Sequence, residues 1–133
     1  MTDMHFIKGA TLAGTSGRSK DVFNPATGLV VGSVPLANAS EVDAAVAAAK
    51  AALPGWANTP PAKRSQIMFK FRDLINQNLD KIAGLISGQH GKTLDDARGE
   101  VARGLEVVEF TCGIPHLLKG EYSAQVASAV DSY

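Results

Sequence analysis

The sequence predicts an α/β fold in which small β-hairpins come first, about four helices follow, and a strand ends the chain. Three observations support this order. Turn-forming residues separate short β-branched runs in the first forty positions, apolar residues then recur every three or four positions, and this helical spacing is absent after residue 122. The 133 residues suffice for about one domain.

The first forty residues are predicted to form strands joined by turns. Residues 5–12 are rich in apolar and β-branched side chains, and residues 29–34 form a second such run that Pro35 ends or places at a sheet edge. Between them, Asn24, Pro25 and Gly28 favour a tight turn, because proline fixes φ and glycine tolerates a positive φ. Small β-hairpins are therefore expected here.

The first helix is predicted to begin at Ser40, whose hydroxyl can accept a hydrogen bond from a free backbone N–H. Pro54 and Gly55 are predicted to end it. Its apolar stripe consists of Val42, Ala45, Val46, Ala49 and Leu53. The small alanine side chains suit close packing against another helix or a sheet.

Two further helices are predicted between residues 59 and 88. The second begins near Thr59 with Pro60 in its first turn, and Asn78 is predicted to cap the third, which ends near Ser87 and Gly88. The buried face predicted for the second helix consists of Ile67, Met68, Phe71, Leu74 and Ile75. The inward positions predicted for the third helix are Ile82, Ala83 and Ile86.

The fourth helix carries the strongest pattern. Thr93 and Asp96 have the spacing of a capping box, and Gly113 is predicted to cap the other end. Inside the helix, Gly99 and Gly104 each cost about 1 kcal/mol relative to alanine, which suggests close packing beside them. The apolar stripe consists of Leu94, Ala97, Val101, Leu105, Val108 and Cys112.

Residues 123–133 show no helical stripe. Val126 and Val130 alternate loosely with Gln125 and Asp131, which predicts a thin, exposed strand with neither a turn nor a partner.

Composition excludes several classes of function. The 13 basic residues balance the 13 acidic ones, so the net charge of zero gives no reason to expect nucleic acid or an anionic membrane as a partner. No apolar run approaches the ~20 residues that span a bilayer, and the first residues do not resemble a secretory signal. The single cysteine, Cys112, predicts a reducing, cytoplasmic setting.

Few residues suggest chemistry. His5, His90 and His116 are far apart in sequence and none shares a helix face with a second ligand, so no metal site is predicted. Neither GxGxxG nor GxxxxGK occurs. Cys112 continues an apolar stripe, which indicates a buried small hydrophobic residue and argues against an activated nucleophile. No catalytic, cofactor-binding or metal-binding residue is therefore predicted in the chain.

Arg103 is the candidate binding residue. Gly99 lies one turn earlier on the same helix face and Gly104 is adjacent, so missing side chains leave room for a ligand beside the guanidinium. The alternative, which sequence alone favours, is a solvated arginine paired with Glu100 or Glu106 at helical spacing.

Several segments resemble the start of the aldehyde dehydrogenase superfamily. They are FNPATG at residues 23–28 followed by VP at 34–35, the alanine-rich stretch 45–56, and HGKT at 90–93. Two further segments resemble the methylmalonate-semialdehyde dehydrogenase branch, GEVARGLEVVEF at residues 99–110 and CGIPHLLKGE at 112–121. The resemblance covers nearly the whole chain.

The resemblance implies an aldehyde dehydrogenase-like α/β fold of which this chain is an incomplete domain. Residues 1–122 would form the N-terminal part of the NAD-binding domain, and residues 123–133 would begin an oligomerisation arm. The complete enzyme would be a homo-oligomer that oxidises malonate or methylmalonate semialdehyde with NAD and CoA to acyl-CoA, CO2 and NADH. The family's catalytic residues lie downstream, so this chain alone is predicted to be inactive and to need no cofactor, while Arg103 would face the substrate.

Two alternatives remain open. The chain could come from a non-acylating aldehyde dehydrogenase, in which water takes the place of CoA. It could also be a non-catalytic, stand-alone module that binds dehydrogenase subunits. CoA dependence of the complete enzyme separates the first alternative from the acylating branch, and whether the reading frame continues beyond Tyr133 separates the second.

Overall fold

The computed structural model describes residues 4–133, and it divides into two compact units. The first unit runs to Trp56 and includes Gln89–Gly91, and the second comprises Ala57–Gly88 and Lys92–Tyr133. Hairpins precede helices and strands end the described chain, so the predicted α/β order is confirmed.

Two antiparallel hairpins lie in the first unit. Strand β1 (His5–Ile7) pairs with β2 (Ala10–Leu12), and β3 (Ser19–Phe23) pairs with β4 (Val30–Pro35). The turn between β1 and β2 is Lys8 and Gly9, both with positive φ (55° and 79°), as a two-residue hairpin turn requires. Small hairpins are confirmed, and the turn predicted at residues 24–28 joins β3 to β4, but residues 5–12, predicted as one run, fold back on themselves at Lys8 and Gly9.

Helix α1 (Ala39–Ala57) begins with a capping box formed by Asn38 and Glu41. The Oδ1 atom of Asn38 accepts from the backbone N–H of Glu41 at 2.9 Å, and the Oε2 atom of Glu41 accepts from the N–H of Asn38 at 2.8 Å. The prediction of Ser40 as the cap was wrong, because its hydroxyl donates to Asn38 Oδ1. Backbone donors from Asn38 and then Thr15 lower the pKa of the Glu41 carboxyl.

Helix α1 continues through Pro54 and Gly55, which were predicted to end it. Proline in the last turn removes only its own N–H from the hydrogen-bond ladder, so the helix can extend to Ala57. The predicted stripe is not buried by the described residues, because Val42, Val46 and Leu53 are all exposed.

The second unit contains most or all of four helices: α2 (Pro61–Gln77), α3 (Leu79–His90), α4 (Leu94–Cys112) and the single turn α5 (Ile114–Leu117). The last residues of α3, from Gln89, belong to the first unit. Helix α3 is longer than predicted, reaching His90. The core centres on Ala83, Ala97 and Val101, and four partly buried residues pack against it, Ile75, Leu79, Ile82 and Ile86. The predicted inward positions of α3 are confirmed.

The buried face predicted for α2 was partly wrong. Met68 and Ile75 are partly buried, but Ile67, Phe71 and Leu74 are exposed. Helix α2 turns another side towards α4, and on that side the Nε atom of Arg72 donates to Glu109 at 2.8 Å. That bond and the charge of Glu109 raise the pKa of Arg72.

Two of the three predicted caps in the second unit are confirmed. The Oγ1 atom of Thr93 accepts from the N–H of Asp96 at the start of α4, and Gly113 caps its end. Asn78 does not cap α3, because its Nδ2 atom donates backwards to the Leu74 carbonyl at 2.8 Å. The same carbonyl also accepts the backbone N–H of Asn78 at 3.1 Å, so Asn78 bonds to the end of α2 through both groups.

The last segment is a hairpin, so the prediction of a strand with neither turn nor partner was wrong. Strand β5 (Ser123–Ala127) pairs antiparallel with β6 (Val130–Ser132), and Ala129 turns the chain with φ 60°. The carboxylate of Asp131 accepts from the N–H of Gln125 at 2.6 Å and from the Tyr122 hydroxyl at 2.7 Å. These bonds lower the pKa of Asp131 and raise that of Tyr122.

A search of the helices among residues 4–133 finds none with the length and apolar character that a membrane span needs.

Gly91→Ala is expected to destabilise the fold by roughly 1–3 kcal/mol. Gly91 has φ 83°, and a Cβ atom there would lie 2.9 Å from Cγ of Pro25. Gly28→Ala is the matched control, because Gly28 has a similar φ of 71° but nothing within 4 Å of its Cβ position. Urea unfolding of both variants separates the clash from the backbone strain, and equal losses would show that the contact with Pro25 is unimportant.

Candidate functional site

Helix α4 has an inner and an outer face. Its inner face buries Ala97, Val101 and Cys112. Arg103 is two residues beyond Val101, which rotates it by roughly 200° about the helix axis and places it on the opposite side. We call this side the outer face of α4. It consists of Gly99, Arg103, Val107 and Phe110, all exposed.

The outer face of α4 is open. A Cβ atom built on Gly99 or on the adjacent Gly104 would have no neighbour within 4 Å in the described structure. Val107 and Phe110 are each 65% exposed, which is high for large apolar side chains. Residues 4–133 therefore do not provide the close packing that the two glycines suggested, and none of these residues fills the space beside Gly99 and Gly104.

The acidic neighbours of Arg103 at helical spacing do not hold it in this structure. Glu100 forms an ion pair with Nζ of Lys92. Within the part of the chain that the structure describes, Arg103 has no carboxylate within 4.0 Å, so the predicted pairing with Glu100 or Glu106 is not observed.

Arg98 on the same helix shows the contrasting case. Its Nε atom donates to Asp80 and its NH1 atom donates to Asp95, both at 2.8 Å. Hydrogen bonds to Asp80 and then to Asp95 raise the pKa of its guanidinium. Arg98 thus connects α3 to α4 and has the contacts of a structural arginine, whereas Arg103 forms no such ion pair among residues 4–133.

The other predicted candidates are also located. Cys112 is only 6% exposed and its thiol donates to the Val108 carbonyl at 3.4 Å, which fits the predicted small hydrophobic residue. His5 lies in β1, His90 ends α3 and His116 lies in α5. Among residues 4–133, no group of three or more histidine, cysteine or acidic side chains could hold a metal ion.

The described residues do not form a dinucleotide site. Their strands form three separate antiparallel pairs. Dinucleotide sites use a parallel strand that leads through a glycine-rich turn into a helix N-terminus, and no such unit occurs between residues 4 and 133. Residues 4–133 therefore contain no dinucleotide-binding unit of this kind.

Sequence reasoning missed Val107 and Phe110 as members of the outer face. The signal was present, because they follow Arg103 by four and seven residues and so share its face. The apolar periodicity of α4 predicted only its inner stripe, which includes Val108 but not the adjacent Val107.

Comparison with known proteins gives consistent matches. A sequence profile described as the aldehyde dehydrogenase family matches residues 12–133. A malonate-semialdehyde dehydrogenase from Pseudomonas aeruginosa is 47% identical over all of this chain, which spans 27% of that relative. A mitochondrial, acylating methylmalonate-semialdehyde dehydrogenase from Arabidopsis thaliana is 47% identical over 97% of this chain and 21% of its own length. The chain thus spans about a quarter of the length of these curated relatives.

Solved structures match in the same way. The crystal structure of a methylmalonate-semialdehyde dehydrogenase from Oceanimonas doudoroffii has a TM-score of 0.86 and 47% identity, covering 98% of this chain and 27% of that one. A Sinorhizobium meliloti protein, described as a methylmalonate-semialdehyde dehydrogenase and crystallised with NAD, has a TM-score of 0.87 and 49% identity over the same shares.

Proposed function

Because the chain belongs to the aldehyde dehydrogenase family, we propose that it is the N-terminal part of an NAD-dependent, CoA-acylating dehydrogenase of malonate or methylmalonate semialdehyde. The position of Arg103 supports this substrate class. Its guanidinium lies on the open outer face of α4, and its acidic neighbour Glu100 is bound by Lys92. In the full-length protein, semialdehyde, CoA and NAD would yield acyl-CoA, CO2 and NADH.

Arg103 is proposed to bind the carboxylate at the end of the substrate opposite the aldehyde. A guanidinium offers a planar pair of donors that can bind both carboxylate oxygens at once. Holding that end would orient the aldehyde carbon towards the nucleophile of the full-length protein, and such positioning lowers a reaction barrier without taking part in bond making. Arg103 is thus a substrate-binding residue in this proposal.

The remaining chain is proposed to have structural roles. Residues 1–122 would belong to the NAD-binding domain, and residues 123–133 would begin an arm through which copies of the protein form a homo-oligomer. The β5–β6 hairpin suits such an arm, because a two-stranded sheet has two open edges and Val126 and Val130 are exposed. A cytoplasmic location stays a prediction.

CoA dependence tests the acylating function. The full-length protein carrying these residues is expected to form NADH, CO2 and a thioester when given methylmalonate semialdehyde, NAD and CoA. If water were the acceptor, as in a non-acylating aldehyde dehydrogenase, a dicarboxylic acid would form at the same rate without CoA and no CO2 would be released. Product analysis by mass spectrometry, with and without CoA, distinguishes the two.

A further inference from the structure

Gly99 lies in the interior of α4, and no residue of the described structure packs closely enough against it to require a glycine. Glycine in a helix interior is less stable than alanine, and a Cβ atom at this position would meet nothing within 4 Å. Alanine would therefore suit the fold of residues 4–133 better. Gly99 also lies on the outer face of α4, four residues before Arg103, which is about 6 Å along the helix axis.

The geometry of helices links Gly99 to the guanidinium of Arg103. Helical side chains lean towards the N-terminus, so a long side chain covers the surface one turn before its own Cα atom. For Arg103 that turn contains Gly99. A ligand carboxylate bound by this guanidinium would consequently lie over Gly99, where the missing side chain leaves space.

We infer that Gly99 determines specificity by leaving room for a branch at carbon 2 of a carboxylated aldehyde, an inference that rests on the proposed function. In malonate and methylmalonate semialdehydes, carbon 2 is bonded directly to the carboxylate carbon. Once Arg103 holds the carboxylate, carbon 2 is one bond away from it, so a methyl group on carbon 2 can occupy the space above Gly99. A side chain at position 99 would fill that volume, whereas an unbranched substrate would lose less room.

The test uses the full-length protein with Gly99→Ala and Gly99→Leu, because alanine and leucine both favour helix. Gly84→Ala is the matched control, since Gly84 is also inside a helix, α3, with nothing within 4 Å of its Cβ position. Each variant is assayed with methylmalonate semialdehyde, malonate semialdehyde and propanal, and its melting temperature is measured.

Gly99→Leu is expected to lower kcat/KM for methylmalonate semialdehyde by roughly ten-fold or more, the usual effect of excess volume against a fitted group. Malonate semialdehyde should lose less and propanal least. Gly99→Ala should show the same order with smaller losses while raising the melting temperature, and Gly84→Ala should raise the melting temperature without changing any kinetic constant. If Gly99 had only a structural role, its substitution would change the melting temperature and kcat/KM for all three aldehydes together.

Equal losses for all three aldehydes, or no loss for any, would overturn the inference. The same assay with Arg103→Leu keeps the two claims apart. If Arg103→Leu discriminates against both carboxylated aldehydes but Gly99→Leu is indifferent to the methyl branch, the inference fails and the proposed function stands. If neither variant discriminates, both fail.

Discussion

The isolated 133-residue chain is expected to form no NADH from methylmalonate semialdehyde, NAD and CoA. A thiol must ionise to attack an aldehyde, which requires exposure and a nearby base or positive field. The Cys112 thiol is buried and donates to the Val108 carbonyl at the end of α4. Residues 4–133 also lack the strand, turn and helix unit that binds a dinucleotide.

The full-length protein in the same assay is the positive control for this loss. NADH absorbance should rise only with that protein. Turnover by the isolated chain that persists through a second purification and disappears in Cys112→Ala would contradict the expectation, because it would make Cys112 a nucleophile.

Arg103→Leu in the full-length protein is expected to raise the Michaelis constant for methylmalonate semialdehyde by roughly ten- to a hundred-fold. This corresponds to the ~1.5–3 kcal/mol that a hydrogen bond to a charged group contributes. Propanal has no carboxylate, so its kinetic constants should change much less. Arg103→Lys should restore binding only in part, because lysine keeps the charge but lacks the paired donors.

Arg98→Leu is the matched control on the same helix. It removes the ion pairs to Asp80 and Asp95, so we expect a change in stability that affects both aldehydes alike. If Arg103→Leu also affected both aldehydes alike, Arg103 would be a structural residue, and its proposed role in substrate binding would be wrong.

Some features of the fold could be predicted from the sequence because they depend on contacts between residues only a few positions apart. The N-cap of α4 depends only on the Thr93 hydroxyl and the N–H of Asp96, and the inner face of that helix follows from the spacing of Ala97 and Val101. The family resemblance is confirmed on the same basis, since it rests on contiguous segments such as residues 99–110.

Features that depend on a choice among partners could not be predicted. Asn78 can bond forwards into α3 or backwards to Leu74, and both options look the same in the sequence. Helix α2 carries apolar residues on several of its sides, so their periodicity alone does not show which side is buried. It could not predict that Phe71 is exposed while Arg72 forms an ion pair with Glu109. Thirty-seven positions separate that last pair.

The sequence pointed to Arg103 as a candidate binding residue but did not predict the contacts around it, and its role stays a prediction. Arg103 stood out because Gly99 and Gly104 flank it, yet the sequence favoured an ion pair with Glu100 or Glu106. The structure was needed to show that Lys92, eight positions away, binds Glu100 instead. The turn at Ala129 was also missed, because alanine is rarely found at a positive φ and so does not indicate a turn in the sequence.

A crystal structure of the full-length protein with methylmalonate, a dicarboxylate analogue of the substrate, would show which side chain binds the carboxylate. We expect one carboxylate to have both oxygens about 2.7–2.9 Å from the guanidinium nitrogens of Arg103, with the ligand lying over Gly99. A carboxylate held elsewhere, with Arg103 paired to Glu106 or another acidic side chain of the protein, would contradict this expectation.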